Sequence, residues 1–152
     1  DLESFRKKTG IYFNEYEIFS GTVLENINMG KSHITPESII DIAKELGFES
    51  FLQNLTMGFQ TPIDANGKRL PKNISQKIIL LRALVHRPNL LIMEEPFILF
   101  LGLIKQFQQK MIDYLLKKPS DNTVIVTSND QAFASKCDYR FELKDGKLEK
   151  LP

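Results

Sequence analysis

Leu90-Leu91-Ile92-Met93 is an unbroken apolar run that stops at once on Glu94-Glu95-Pro96. A run this short and this apolar suits a strand in the middle of a parallel sheet, covered on both faces. The helix expected before it, from a cap at Asn73 to about His86, is apolar nearly all round. Ile74, Ile78, Leu81 and Val85 make a stripe, and Ile79, Leu80 and Leu84 widen it. Pro88-Asn89 breaks the chain between the two. A helix buried nearly all round that feeds a buried strand fits an α/β sheet, and the paired carboxylates mark the strand's end.

The rest of the chain agrees. Thr9 to Phe13 alternates like a strand, and Thr123 to Thr127 (Thr-Val-Ile-Val-Thr) is β-branched throughout. A short helix is expected over Val23 to Asn28. Thr35-Pro36 starts a further helix, with Ile39, Ile42, Ala43 and Leu46 on one face and Gly47 as a left-handed stop. Phe48, Phe51, Leu52 and Leu55 repeat the pattern in a shorter helix. Leu103 to Lys118 reads as an amphipathic helix and Asp130 to Lys136 as a short one. Asp145-Gly146 between two short runs is a hairpin turn signal. The helices between residues 23 and 87 interrupt the strand–helix alternation and so form a subdomain.

Composition narrows the function classes. Twenty basic and 19 acidic side chains leave a formal charge of +1, which gives no reason to expect nucleic acid as a partner. A lone cysteine, Cys137, excludes an internal disulfide and a thiolate metal site, and fits a small buried hydrophobe in a reducing, cytosolic setting. No apolar run is as long as a membrane span, and Asp-Leu-Glu-Ser is not the start of a signal peptide. The isolated chain is expected to be soluble. Gly30-Lys31-Ser32 imitates the end of a phosphate loop, but Glu25 stands where the first glycine belongs. His86 beside Arg87 fits a helix end better than a ligand. Phe97 to Leu101 is either a core segment or an exposed apolar patch.

Several segments, taken in order, resemble the later two-thirds of an exporter-type ABC-transporter ATP-binding domain. Phe19-Ser20-Gly21-Thr22-Val23-x-Glu25-Asn26-Ile27 is similar to the FSGT(V/I)xENI segment after that family's Q-loop. Arg82-Ala83-Leu84 resembles the end of its signature helix, and Leu90 to Pro96 its Walker B strand. Thr123 to Thr127 resembles the strand before its switch histidine, and Asp145-Gly146 its terminal hairpin. The resemblance implies a partial P-loop NTPase (ABC ATPase) fold with an inserted α-helical subdomain and a C-terminal β-hairpin. It divides the chain into core strand and Q-loop-like segment (1–24), helical subdomain (25–87) and remainder of the α/β core (88–152). It also implies ATP and Mg²⁺ as ligands, a homo- or heterodimer of ATPase domains, and a transmembrane domain bound through the helical subdomain at the cytoplasmic face of the membrane. The family's Walker A lies upstream of the segment that resembles residue 1.

Carried over by position, the resemblance puts Asn14 at the Q-loop glutamine, Glu94 at the metal-binding Walker B aspartate, Glu95 at the water-activating glutamate and Ser128 at the switch histidine. The signature Leu-Ser-Gly-Gly-Gln becomes Leu70-Pro71-Lys72-Asn73-Ile74. That signature works through bare backbone N–H groups and a helix dipole facing a terminal phosphate. Here both glycines and the serine are replaced. The expectation is a fragment of an ABC exporter's ATP-binding domain that does not hydrolyse ATP. The alternative is a non-catalytic scaffold or dimerisation module derived from that fold.

Overall fold

Three apolar stretches far apart in the chain meet in one parallel sheet. The computed structural model describes residues 1–13, 15, 17–67, 70–97, 105–117 and 121–152. In chain order these form α1 (Leu2–Lys7), β1 (Thr9–Tyr12), β2 (Gly21–Thr22), α2 (Val23–Asn28), α3 (Pro36–Leu46) and α4 (Ser50–Gln53). Then come β3 (Pro62–Ile63), α5 (Lys72–Leu84), β4 (Leu90–Glu94), α6 (Lys105–Leu115), β5 (Thr123–Thr127), α7 (Gln131–Ala134), β6 (Phe141–Lys144) and β7 (Lys147–Lys150). The sheet order is β1-β4-β5, with Ile11, Ile92 and Ile125 aligned across all three strands.

Both steps across the sheet, β1 to β4 and β4 to β5, run in the same direction. Parallel crossovers are right-handed, so two steps in one direction carry their helices to the same face. Burial follows this rule. Gly10, Tyr12, Leu91 and Met93 are buried, while Ile11 and Ile92 on the other face are half-buried and Ile125 is 51% exposed. The expectation that Leu90 to Met93 is covered on both faces therefore holds for one face only among the described residues.

At Gly10 the sheet and α5 lie in close contact. A Cβ built there would lie 2.2 Å from the carbonyl oxygen of Ala83 on α5. Tyr12, on the same face, is wholly buried and its hydroxyl has no partner among the described residues. Burial pushes that phenol's pKa well above its ordinary value. Tyr12→Phe removes an unsatisfied polar atom and leaves the ring in place. It is expected to stabilise the fold by about 1 kcal/mol, read as a higher urea midpoint. A lower midpoint would reveal a hydrogen bond at that hydroxyl.

Local signals explain most of the helices. Thr22 caps α2 in a capping box, its hydroxyl accepting from Glu25 N–H while the Glu25 carboxylate accepts from Thr22 N–H at 2.7 Å. Thr35 caps α3, Pro36 opens it, and Gly47 ends it at φ 74°. Phe48, Phe51 and Phe107 pack together where α4 and α6 meet, with the Lys77 ammonium of α5 against the first two rings. Asp145 and Gly146 both have positive φ, as the tight β6–β7 turn requires. The antiparallel pair β2–β3 joins Gly21 to Ile63 and was not expected from sequence.

Strand β5 pairs with β4 on one side and with no other described strand on the other. It carries no lysine, proline or bulge to discourage a new neighbour. Thr-Val-Ile-Val-Thr also reads the same in both directions, so antiparallel pairing of two copies about Ile125 is in register throughout. The 152-residue chain is expected to self-associate at high concentration; monodisperse monomer by light scattering would contradict this.

Candidate functional site

The paired carboxylates stand at the carboxyl end of β4, where open parallel sheets bind ligands. Glu94 is exposed on the strand's last residue. Glu95 then turns out of the sheet with φ 42°, a left-handed conformation that is unfavourable for a residue with a Cβ. Bonds on both sides hold it there. Its N–H donates to the carbonyl of Thr127 at 2.9 Å, and its carboxylate accepts from Asn129 Nδ2 at 3.1 Å. Pro96 and Phe97 follow, both buried, and the Phe97 ring packs on Phe133 of α7 at 5.0 Å between centroids. Phe97 is thus core; the rest of the 97–101 run lies outside the described residues.

Strand β5 ends beside this turn. Ser128 is half-buried, and its hydroxyl accepts from the N–H of Asp130 at 3.0 Å. Asp130 caps α7 by accepting from Phe133 N–H at 2.7 Å, and the Gln108 amide donates to its other carboxylate oxygen. The side chain that reaches Glu95 is therefore Asn129, not Ser128. Asn14 lies outside the described residues.

Helix α5 opens differently from the expectation. Pro71 occupies the capping position with no side-chain cap, and Asn73 sits inside the first turn. The fixed φ of proline suits that place, and the Pro71 carbonyl accepts from the N–H groups of Ile74 and Ser75. The helix thus starts two residues before its expected first turn. The donor that proline lacks falls ahead of the helix, and the side chains of Pro71, Lys72 and Asn73 are all exposed around the opening. Leu70 is half-buried and its N–H donates to the carbonyl of Gly67 at 2.9 Å. No hydrogen bond or ion pair among the described residues joins Leu70 to Ile74 with Glu94 or Glu95.

A second cluster holds α5 to the segment that follows Asn14. Asn26, wholly buried, accepts from Phe19 N–H and from Arg82 Nη2 through Oδ1, and donates to the carbonyls of Phe19 and Thr22 through Nδ2. Arg82 also donates to the backbone oxygens of Asn26, at 2.7 Å, and Glu17, and its guanidinium lies over the Phe19 ring. Beside this cluster is a shallow groove of about 460 Å³ lined by Phe19, Ser20, Gly21, Glu25, Met29 and Gly30. Sequence reading found the Phe19–Ile27 segment but not the network within it. The Thr22-x-x-Glu25 capping signature was the available signal.

The other candidates are structural. Gly30-Lys31-Ser32 follows the end of α2, where Met29 and Gly30 have positive φ, so it terminates a helix instead of preceding one. His86 is half-buried with Nε2 3.5 Å from Lys31 Nζ. Burial first, then the charges of Lys31 and His33, hold its pKa down at about 4. Among the described residues no group of three or more His, Cys, Asp or Glu side chains could hold a metal ion. No helix there is long and apolar enough to cross a membrane.

A parallel sheet with paired carboxylates at the end of its central strand, and a helical insertion between its first two strands, fits the ABC ATPase fold. The comparisons agree. No protein-family model matches the chain. It is 31% identical over 147 residues to a multidrug efflux ATP-binding/permease protein of Mycobacterium bovis, a match covering 97% of this chain and 12% of that protein. It is 26% identical to ABC transporter B family member 13 of Arabidopsis thaliana, with the same coverage of both chains. Among solved structures, a bacterial Atm1-family ABC exporter with ATP bound matches with a TM-score of 0.80 at 23% identity, over 96% of this chain and 25% of that one. The chain belongs to the exporter-type ABC transporters, as part of their ATP-binding domain. It spans about an eighth of the length of the curated relatives it matches.

Proposed function

We propose that this chain forms a section of an ABC exporter's ATP-binding domain that makes the exporter's contacts without hydrolysing ATP itself. The observation that carries the reading is the opening of α5. A phosphate held at a helix N-terminus needs unobstructed backbone N–H groups. Here Pro71, Lys72 and Asn73 stand exposed at that end. The amide of Asn129 on Glu95 adds to it, because an amide cannot take up or release a proton as an imidazole does.

The family's ligand fits this chain poorly. Mg²⁺ with a nucleotide takes one or two carboxylates together with phosphate oxygens that the protein must also hold. Glu94 supplies one exposed carboxylate, and the Glu95 carboxylate is already bonded to Asn129. Asn14, Leu70 to Ile74, Glu94, Glu95 and Ser128 are thus read as positions the family uses and this chain has changed or left idle.

The partner of this reading is a transmembrane domain at the cytoplasmic face, received by the helical subdomain of residues 25–87. The groove beside Phe19 and Met29 offers it an apolar seat, since both side chains are partly exposed, Phe19 at 40% and Met29 at 50%. A second ATPase domain would complete the assembly. The scaffold alternative has its own support in the exposed Phe141, Leu143 and Leu148 of the β6–β7 hairpin.

Equilibrium titration with labelled ATP and Mg²⁺ tests the proposal. The expected result is no saturable binding in the micromolar range and no phosphate release. Micromolar affinity, with the triphosphate protecting residues 70–74 from hydrogen exchange, would overturn it.

A further inference from the structure

We propose that Asn129 is the positioning partner of Glu95, and so holds the place of the family's switch residue in this chain; Ser128 does not. The assignment rests on reading Glu95 as the water-activating position, but its geometry stands separately. Three bonds define it. The carbonyl of Thr127 fixes the backbone of Glu95 at 2.9 Å, so the end of β5 and the turn after β4 move together. The Ser128 hydroxyl is turned back to the N–H of Asp130 at 3.0 Å, which commits it to the start of α7. Asn129 is exposed and extends its amide to Glu95 Oε1 at 3.1 Å. The amide must present its NH₂ group, because its carbonyl would face a carboxylate oxygen.

The consequence is a contact that orients Glu95 yet carries no exchangeable charge. An imidazole in the same place would sit against the carboxylate and be stabilised in its protonated form. An imidazole at Ser128 would stand where the hydroxyl now serves Asp130, and would lack that carboxylate.

The test introduces histidine at each position and follows its titration by NMR in the full 152-residue chain, without nucleotide. Asn129→His is expected to titrate above the ordinary histidine value of about 6.5, and to fall back when Glu95→Gln is added. Ser128→His is expected to show no dependence on Glu95→Gln. Asp130 neighbours both sites and is unchanged between the members of each pair, so it cancels from the comparison. In the parent sequence, Glu95→Gln should also shift the Asn129 side-chain amide protons. If Ser128→His responds to Glu95→Gln and Asn129→His does not, or if the Asn129 amide ignores Glu95→Gln, the assignment is wrong. Because no step uses ATP, an ATP-hydrolysing chain would sink the proposed function and leave this result untouched.

Discussion

Asn26→Leu is expected to destabilise the fold by about 3 kcal/mol, although leucine nearly matches asparagine in size. The Asn26 side chain is wholly buried and answers polar groups from three places. Its oxygen takes Phe19 N–H at 3.0 Å and the Arg82 guanidinium at 3.1 Å, and its NH₂ group serves the carbonyls of Phe19 and Thr22 at 2.9 and 3.0 Å. Leucine answers none of them: Arg82 keeps its bonds to the backbone oxygens of Asn26 and Glu17, but Phe19 N–H and the carbonyls of Phe19 and Thr22 lose their side-chain partner. Each buried orphan costs roughly 1–3 kcal/mol. Phe19 and Arg82 are partly exposed, so water recovers some of the loss and the total stays at the lower end. The measurement is a urea melt with unchanged slope and a lower midpoint. A midpoint equal to the parent's would show that the network does not hold the fold. Asn26→Asp separates the contributions: the carboxylate still accepts from Phe19 and Arg82 but faces two carbonyls it cannot serve.

Gly10→Ala is expected to cost about 3 kcal/mol or more, at the upper end of overpacking substitutions. The added carbon would lie 2.2 Å from the Ala83 carbonyl oxygen, 2.7 Å from Pro88 Cγ and 3.2 Å from Leu91 Cδ1. The first of these is helix backbone, which cannot swing aside as a side-chain end can. Either α5 lifts from β1 or the strand bends, and both break the packing that buries Tyr12 and Leu81. Thermal unfolding followed by circular dichroism reads the effect. A melting temperature within two or so degrees of the parent, for a loss this size expected to move it several, would mean that α5 does not press on β1 here.

Much of the architecture was legible because the signals were local. Thr35-Pro36 and Gly47 bound α3, Asp145-Gly146 turns the hairpin, and the β-branched Thr123–Thr127 run is a strand. Each depends on the dihedral preferences of a few adjacent residues. The start of α5 was missed by a small margin for a related reason. Asparagine is a good cap in isolation, but Pro71, two residues earlier, already had the required φ. The β2–β3 pair was illegible because its two short strands are far apart in the chain and carry no pattern of their own.

The order of the elements, the apolar run of β4 and the Phe19–Ile27 segment are properties of the amino-acid string, and they sufficed to point to family and fold class. Tertiary structure alone decided which sheet face is covered, that Gly10 has no room for a Cβ, and that Glu95 meets Asn129 while Ser128 turns away. The physical reason is range. Dihedral preference and hydrophobic period act between near neighbours, whereas the direction of a crossover, the distance between a helix carbonyl and a strand, and the aim of a side chain at a strand end are set by how distant segments pack.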